Sequence, residues 1–161
     1  MKKKIFILLL LLLVTCGCTR KTDYRYFNGH VEDLRATTPY VGTFKRIESQ
    51  NKLLEFYSFS GGFPAPSFGG YSLFIECPAS SFQAQNEIQI PDKNVTVTYY
   101  HDYHHIGRLD KNFIGRIKIT ESTENFITAD IDVTNKDTNK RFEIRGKFQL
   151  TPVSKFSQVE R

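Results

Sequence analysis

Cysteine is scarce in this chain, helical apolar periodicity is missing, and only one hydrophobic run is long enough to matter for a membrane. Three cysteines in 161 residues are too few for a disulfide-stapled scaffold. No Cys-x-x-Cys occurs, which removes a thioredoxin-like redox centre. No Gly-x-Ser-x-Gly elbow is present either, and no Gly-Lys-Ser/Thr follows the glycines, so nucleophile-elbow hydrolases and phosphate-loop nucleotide enzymes are set aside. Yet 40% hydrophobic and 24% charged residues are not the makeup of a disordered tail. The length suits one domain with a real core.

The net charge of +5, from 22 basic and 17 acidic residues, invites a nucleic-acid reading until the first residues are inspected. Lys2, Lys3 and Lys4 precede an unbroken apolar run from Ile5 to Val14, with six leucines from Leu8 to Leu13. A basic start followed by a short apolar stretch makes a signal peptide. As a helix the run spans only about 15 Å, half the hydrocarbon thickness, so it is no stable transmembrane anchor. It ends in Val14-Thr15-Cys16-Gly17-Cys18, which resembles the lipobox of bacterial lipoproteins. The resemblance implies cleavage before a cysteine that carries a diacylglycerol and an N-acyl chain, palmitate among them. Cys18 is the expected acceptor because Gly17 precedes it; Cys16 is the alternative, with Leu13 well placed but Thr15 poorly so. An ordinary secretory signal would more naturally end in Ala-x-Ala, which is missing.

Losing the three signal-peptide lysines leaves 19 basic residues against 17 acidic ones, no electrostatic footprint for nucleic acid. Residues 18–23 read as the lipidated cysteine and a short tether, Thr19-Arg20-Lys21-Thr22, which holds the domain close to the headgroups. Two or three acyl chains make that attachment essentially permanent. By the same resemblance, Thr19 after the cysteine favours the outer membrane, and the absence of an acidic run favours a periplasmic orientation.

From Tyr24 onward the pattern is of strands. Tyr24 and Tyr26, a tight turn at Asn28-Gly29, then His30 to Leu34 form one pair; Val41–Glu48 and Leu53–Phe59 form another around Ser49-Gln50-Asn51-Lys52. Tyr71–Cys77, Ile88–Ile90, Val95–Tyr100 and Ile114–Thr120 follow. Ile127, Ala129, Ile131 and Val133 alternate with Thr128, Asp130, Asp132 and Thr134, and Phe142 to Leu150 behaves likewise. This period of two with one polar face marks antiparallel strands half-covered by a core. The expected fold is all-β: a sandwich, or an up-and-down or partly open barrel, of about 8–10 strands over residues 24–153. A signal-peptide helix (1–17) precedes it and a tail (154–161) follows.

The segments Gly115-Arg116-Ile117-Lys118-Ile119-Thr120, Asn125 to Asn135, and Arg141 to Phe148 resemble a C-terminal meander found in small uncharacterised lipoproteins of Bacteroidetes. The resemblance covers about 40 residues and departs at Ala129-Asp130-Ile131, where that family tends to Gly-Thr-Phe. It implies the same β-meander and carries no functional residues with it.

Two constellations are chemically suggestive. His101, Asp102, His104 and His105 cluster, and a metal would need three such donors at about 2.0–2.2 Å. On a strand, His101 and His105 lie about 13 Å apart; only a loop, helped by His30, brings them together. The simpler reading is a solvated hairpin end. Phe63, Phe68 and Tyr71, in a loop stiffened by Pro64 and Pro66, suit a ligand-binding platform for a sugar ring or a protein chain, or else cap one end of the barrel. Cys77 reads as a buried thiol, and Asp130 and Asp132 as a solvated strand face. No catalytic residue and no cofactor follow from the sequence. The expectation is a non-enzymatic binding or envelope-structural module on a membrane, its protein or glycan partner unspecified. The alternatives are a calycin-like barrel for an apolar ligand, or a metal site at the histidines.

Overall fold

The computed structural model describes residues 19–33, 44–61, 69–103 and 106–156. The chain is all-β, as expected. Among the described residues nine strands form one open sheet: β1 (Thr19–Asp33), β2 (Phe44–Gly61), β3 (Gly69–Pro78), β4 (Glu87–Ile90), β5 (Thr96–Tyr103), β6 (Ile106–Asp110), β7 (Phe113–Ser122), β8 (Phe126–Asn135) and β9 (Arg141–Leu150). The order across the sheet is β4-β7-β8-β9-β1-β2-β3-β5-β6. All neighbours are antiparallel except β1 and β9, which meet in a parallel seam at Arg25↔Gln149 and Tyr26↔Leu150.

The sheet curls until its two halves share one core. Leu54, Phe56, Leu73, Ile75, Val97 and Tyr99 from one half pack with Phe113, Ile117, Ile131, Val133, Phe142 and Phe148 from the other. The alternation that marked β8 is present in full: Ile127, Ala129, Ile131 and Val133 are buried. Their polar neighbours form ion pairs on the outer face, Asp132 with Arg141 at 2.8 Å and Asp130 with Arg145 at 2.8 Å.

Three boundaries differ from expectation. Residues 19–23 are not a tether. They open β1 and pair with Gly61 to Tyr57 of β2, because a polar strand is satisfied as long as its backbone finds a partner. The expected turns at Asn28-Gly29 and Ser49–Lys52 are not turns either. Each of β1 and β2 runs straight through, and the register slips there from Asn28↔Lys52 to Gly29↔Glu48. Three extra residues in β2 make a wide bulge, and bulges bend a ribbon. At this point Gly29 is required, since a Cβ would run into the Ile47 carbonyl. Beyond the bulge the β1–β2 ribbon doubles back over the outer face of the sheet. There Val31 and Phe44 pack on Phe27, Leu53, Phe74 and Tyr100 in a second small core. At the C-terminus, a 3-10 turn at Val153–Phe156 buries Val153 in that core and leaves Ser154 and Lys155 exposed.

Candidate functional site

Because β9 runs parallel to β1 and β2 antiparallel to it, the start of β1, the end of β2, the starts of β3 and β9, and the end of β5 all lie at one end of the sheet. Inward-facing side chains converge there into a mouth. Tyr71 of β3 and His101 of β5 are direct cross-strand partners, two residues that the sequence nominated for unrelated reasons. His101 stacks on Tyr99 at 6.0 Å between ring centroids. Tyr71, Tyr99 and Phe142 form an aromatic box, with centroids 5.8, 6.1 and 5.0 Å apart.

A cation occupies the box. The Lys140 ammonium lies 4.8, 4.5 and 5.2 Å from the Tyr71, Tyr99 and Phe142 centroids and donates to the Tyr99 hydroxyl at 2.6 Å. Ring quadrupoles attract such a charge by about 0.5–2 kcal/mol, more as water is excluded. Partial burial holds the Lys140 pKa below its ordinary value. Burial, then the neighbouring Tyr71 and Asp110, pushes the Tyr99 hydroxyl up to about 12. Tyr99 is therefore a neutral hydrogen-bonding group at physiological pH and no base. Arg20, at the start of β1, closes the opposite side: its Nε donates to the Ser58 hydroxyl at 3.2 Å and its guanidinium reaches the Tyr71 hydroxyl at 3.5 Å. Two cations thus flank one half-buried tyrosine, an arrangement that can grip an anionic or hydroxyl-bearing partner by hydrogen bonds and rings together.

The other nominated residues scatter. Cys16, Cys18, Phe63, Phe68, His104 and His105 lie outside the described residues. Tyr71 is half-buried rather than a free platform. His30 sits in the doubled-back part of β1, over the outer face, with the sheet between it and the inward-facing His101, so it cannot supplement a site there. Among the described residues no three His, Cys, Asp or Glu side chains stand close enough to share a metal ion. Cys77 is 1% exposed, and burial pushes its thiol up to about 12, the opposite of a nucleophile's environment. Asp130 and Asp132 are engaged by arginines. Sequence reasoning missed Tyr99, Phe142 and Lys140, and took Arg20 for a tether charge near the headgroups. The parity of Val95, Val97 and Tyr99 placed Tyr99 inward; nothing local pointed to Lys140. In comparisons with protein-family models, curated proteins and solved structures, the chain has no match.

Proposed function

We propose that the chain is a membrane-anchored bacterial lipoprotein, acylated at Cys18, whose β domain is a non-enzymatic binding or envelope-structural module. The outer membrane, with the domain facing the periplasm, is the proposed location. The observation that carries the reading is the junction at the front of the chain. A basic, leucine-rich signal and Gly17-Cys18 stand directly before Thr19, which already belongs to β1, so processing before Cys18 would leave every described strand intact. The binding part of the reading is supported by the mouth. It gathers three rings and two cations at one end, whereas the buried thiol and the arginine-engaged carboxylates offer no nucleophile or base.

A calycin-like barrel is disfavoured by the packing of the interior. Tyr24 lies edge-on to both Phe56 and Phe148, at 5.2 and 5.4 Å, and Ile117, Ile119 and Leu54 are fully buried around them. The depressions on the β7–β9 side are lined by outward residues such as Arg116, Asp132 and Glu143. A histidine metal centre is disfavoured by the stacking of His101 on Tyr99. Cys18→Ala should abolish fatty-acid labelling and leave an uncleaved precursor by mass spectrometry. Unchanged mass and labelling of the variant would refute acylation at Cys18.

A further inference from the structure

The mouth is bordered by exposed cations, and the chain enters the domain among them. Arg20 and Lys21 lie at the start of β1. Lys140 ends the β8–β9 turn, Lys136 begins it, and Lys111 sits in the link before β7; all five are exposed. The last two are held together: the Lys136 amide donates to the Asn112 carbonyl at 2.8 Å, and the Asn112 side chain donates to Asp137 at 2.8 Å. Among the described side chains, the acids nearby are engaged or covered. Asp23 is held by Arg25 at 2.7 Å and by Lys21 at 3.5 Å, Asp137 accepts from Asn112, and Asp110 is buried.

We infer that this end is a membrane-docking face: Arg20, Lys21, Lys111, Lys136 and Lys140 contact the anionic headgroups of the bilayer that holds the anchor, with Tyr71 beside them at the interface. The inference rests on the lipoprotein reading. Its own support is geometric. Thr19 is already in register with Gly61, so an anchor at position 18 leaves no slack, and the end of the domain carrying Thr19 must lie against the lipid. That end carries four exposed lysines, Lys21, Lys111, Lys136 and Lys140, beside Arg20. Tyrosine beside arginine and lysine suits a headgroup layer, where the ring is half-dehydrated and the charges stay wet.

The full chain, purified from membranes and reconstituted into vesicles of phosphatidylcholine alone or with phosphatidylglycerol, tests this by hydrogen–deuterium exchange. Amides of residues 110–113 and 135–141 should exchange severalfold more slowly on the anionic vesicles, and high salt should erase the difference. Each cation removed should weaken the anionic preference about fivefold. The variants are Lys111→Gln/Lys136→Gln, which touches only exposed side chains, and the same pair with Lys140→Gln. Equal exchange on both lipids, or no effect of either variant, overturns the docking face. The mass of the N-terminal peptide reports acylation separately. If neither Cys18 nor Cys16 proves acylated, the lipoprotein reading fails, and salt-sensitive co-sedimentation of the same protein with anionic vesicles decides the face alone: pelleting supports it and its absence refutes it.

Discussion

Arg46 and Glu55 lie on the same strand nine residues apart, yet their side chains meet in a two-pronged ion pair, at 3.0 and 2.7 Å. The bulge at Ser49–Asn51 makes this possible by folding the ribbon so that Arg46 reaches back over Phe27 and Phe44. Glu55 is wholly buried and also accepts from the Ser72 hydroxyl at 3.1 Å. The pair is the polar pin of the second core.

A buried carboxylate that loses its partner keeps its desolvation cost. Arg46→Met should therefore cost about 3–5 kcal/mol, towards the lower figure because Arg25 stands 3.9 Å from Glu55. Arg46→Met/Glu55→Leu should recover most of the loss, since an apolar pair suits a site walled by Phe27, Phe44 and Phe74. Urea unfolding of the three proteins measures this. A double variant as unstable as the single would show that the ion pair itself stabilises the fold.

Gly146 in β9 is the floor on which the Tyr24 ring lies. A Cβ at that position would overlap the ring, and Phe56 and Phe148 crowd two other sides of the half-buried Tyr24 ring. Gly146→Ala should destabilise by about 1–3 kcal/mol through overpacking. Tyr24→Leu on that background should restore part of it by making room. Thermal melts of the two variants check the coupling, and additive losses would mean that the ring does not rest on Gly146.

Alkali should find a defined weakness. The Cys77 thiol ordinarily titrates near 9.0 and is pushed up to about 12 by burial; the Tyr99 hydroxyl goes from 10.0 to about 12. Below pH 9 both groups are protonated in the folded and unfolded chain, and neither makes stability depend on pH. Between 9 and 12 the unfolded chain releases protons that the folded one retains, so stability falls as pH rises, by at most about 1.4 kcal/mol per pH unit per group. Cys77→Ala should move the onset of the decline from about pH 9 to about pH 10. In the native protein the thiol should resist alkylating reagents until urea opens the core; reaction at the native rate of a free thiol would contradict its burial.

What could be read in advance was whatever the local pattern decides. The β8 strand follows from four inward positions, Ile127, Ala129, Ile131 and Val133, and the core of β9 from Phe142, Ile144 and Phe148. The long strands were misread because Asn28-Gly29 and Ser49-Gln50-Asn51-Lys52 have the composition of turns. Whether such residues reverse the chain or merely bend it depends on a partner strand about twenty residues away. Arg20, Lys21 and Thr22 look like linker for the same reason: their pairing with Ser58–Ser60 is invisible in their own composition. Lys140 reaches the Tyr71–Tyr99 box only because β9 joins β1 in parallel, and a two-residue seam leaves no trace in the sequence.

The length of β1 also governs how the domain bears load. All fifteen of its residues pair with β2, and the chain enters at the very first of them. A pull along the strand from that entry point strains the whole ladder at once, in shear, instead of peeling its bonds apart one by one. Forced rupture is set by the unfolding barrier rather than by equilibrium stability. β1 is thus the strand best placed to resist being drawn out of the fold.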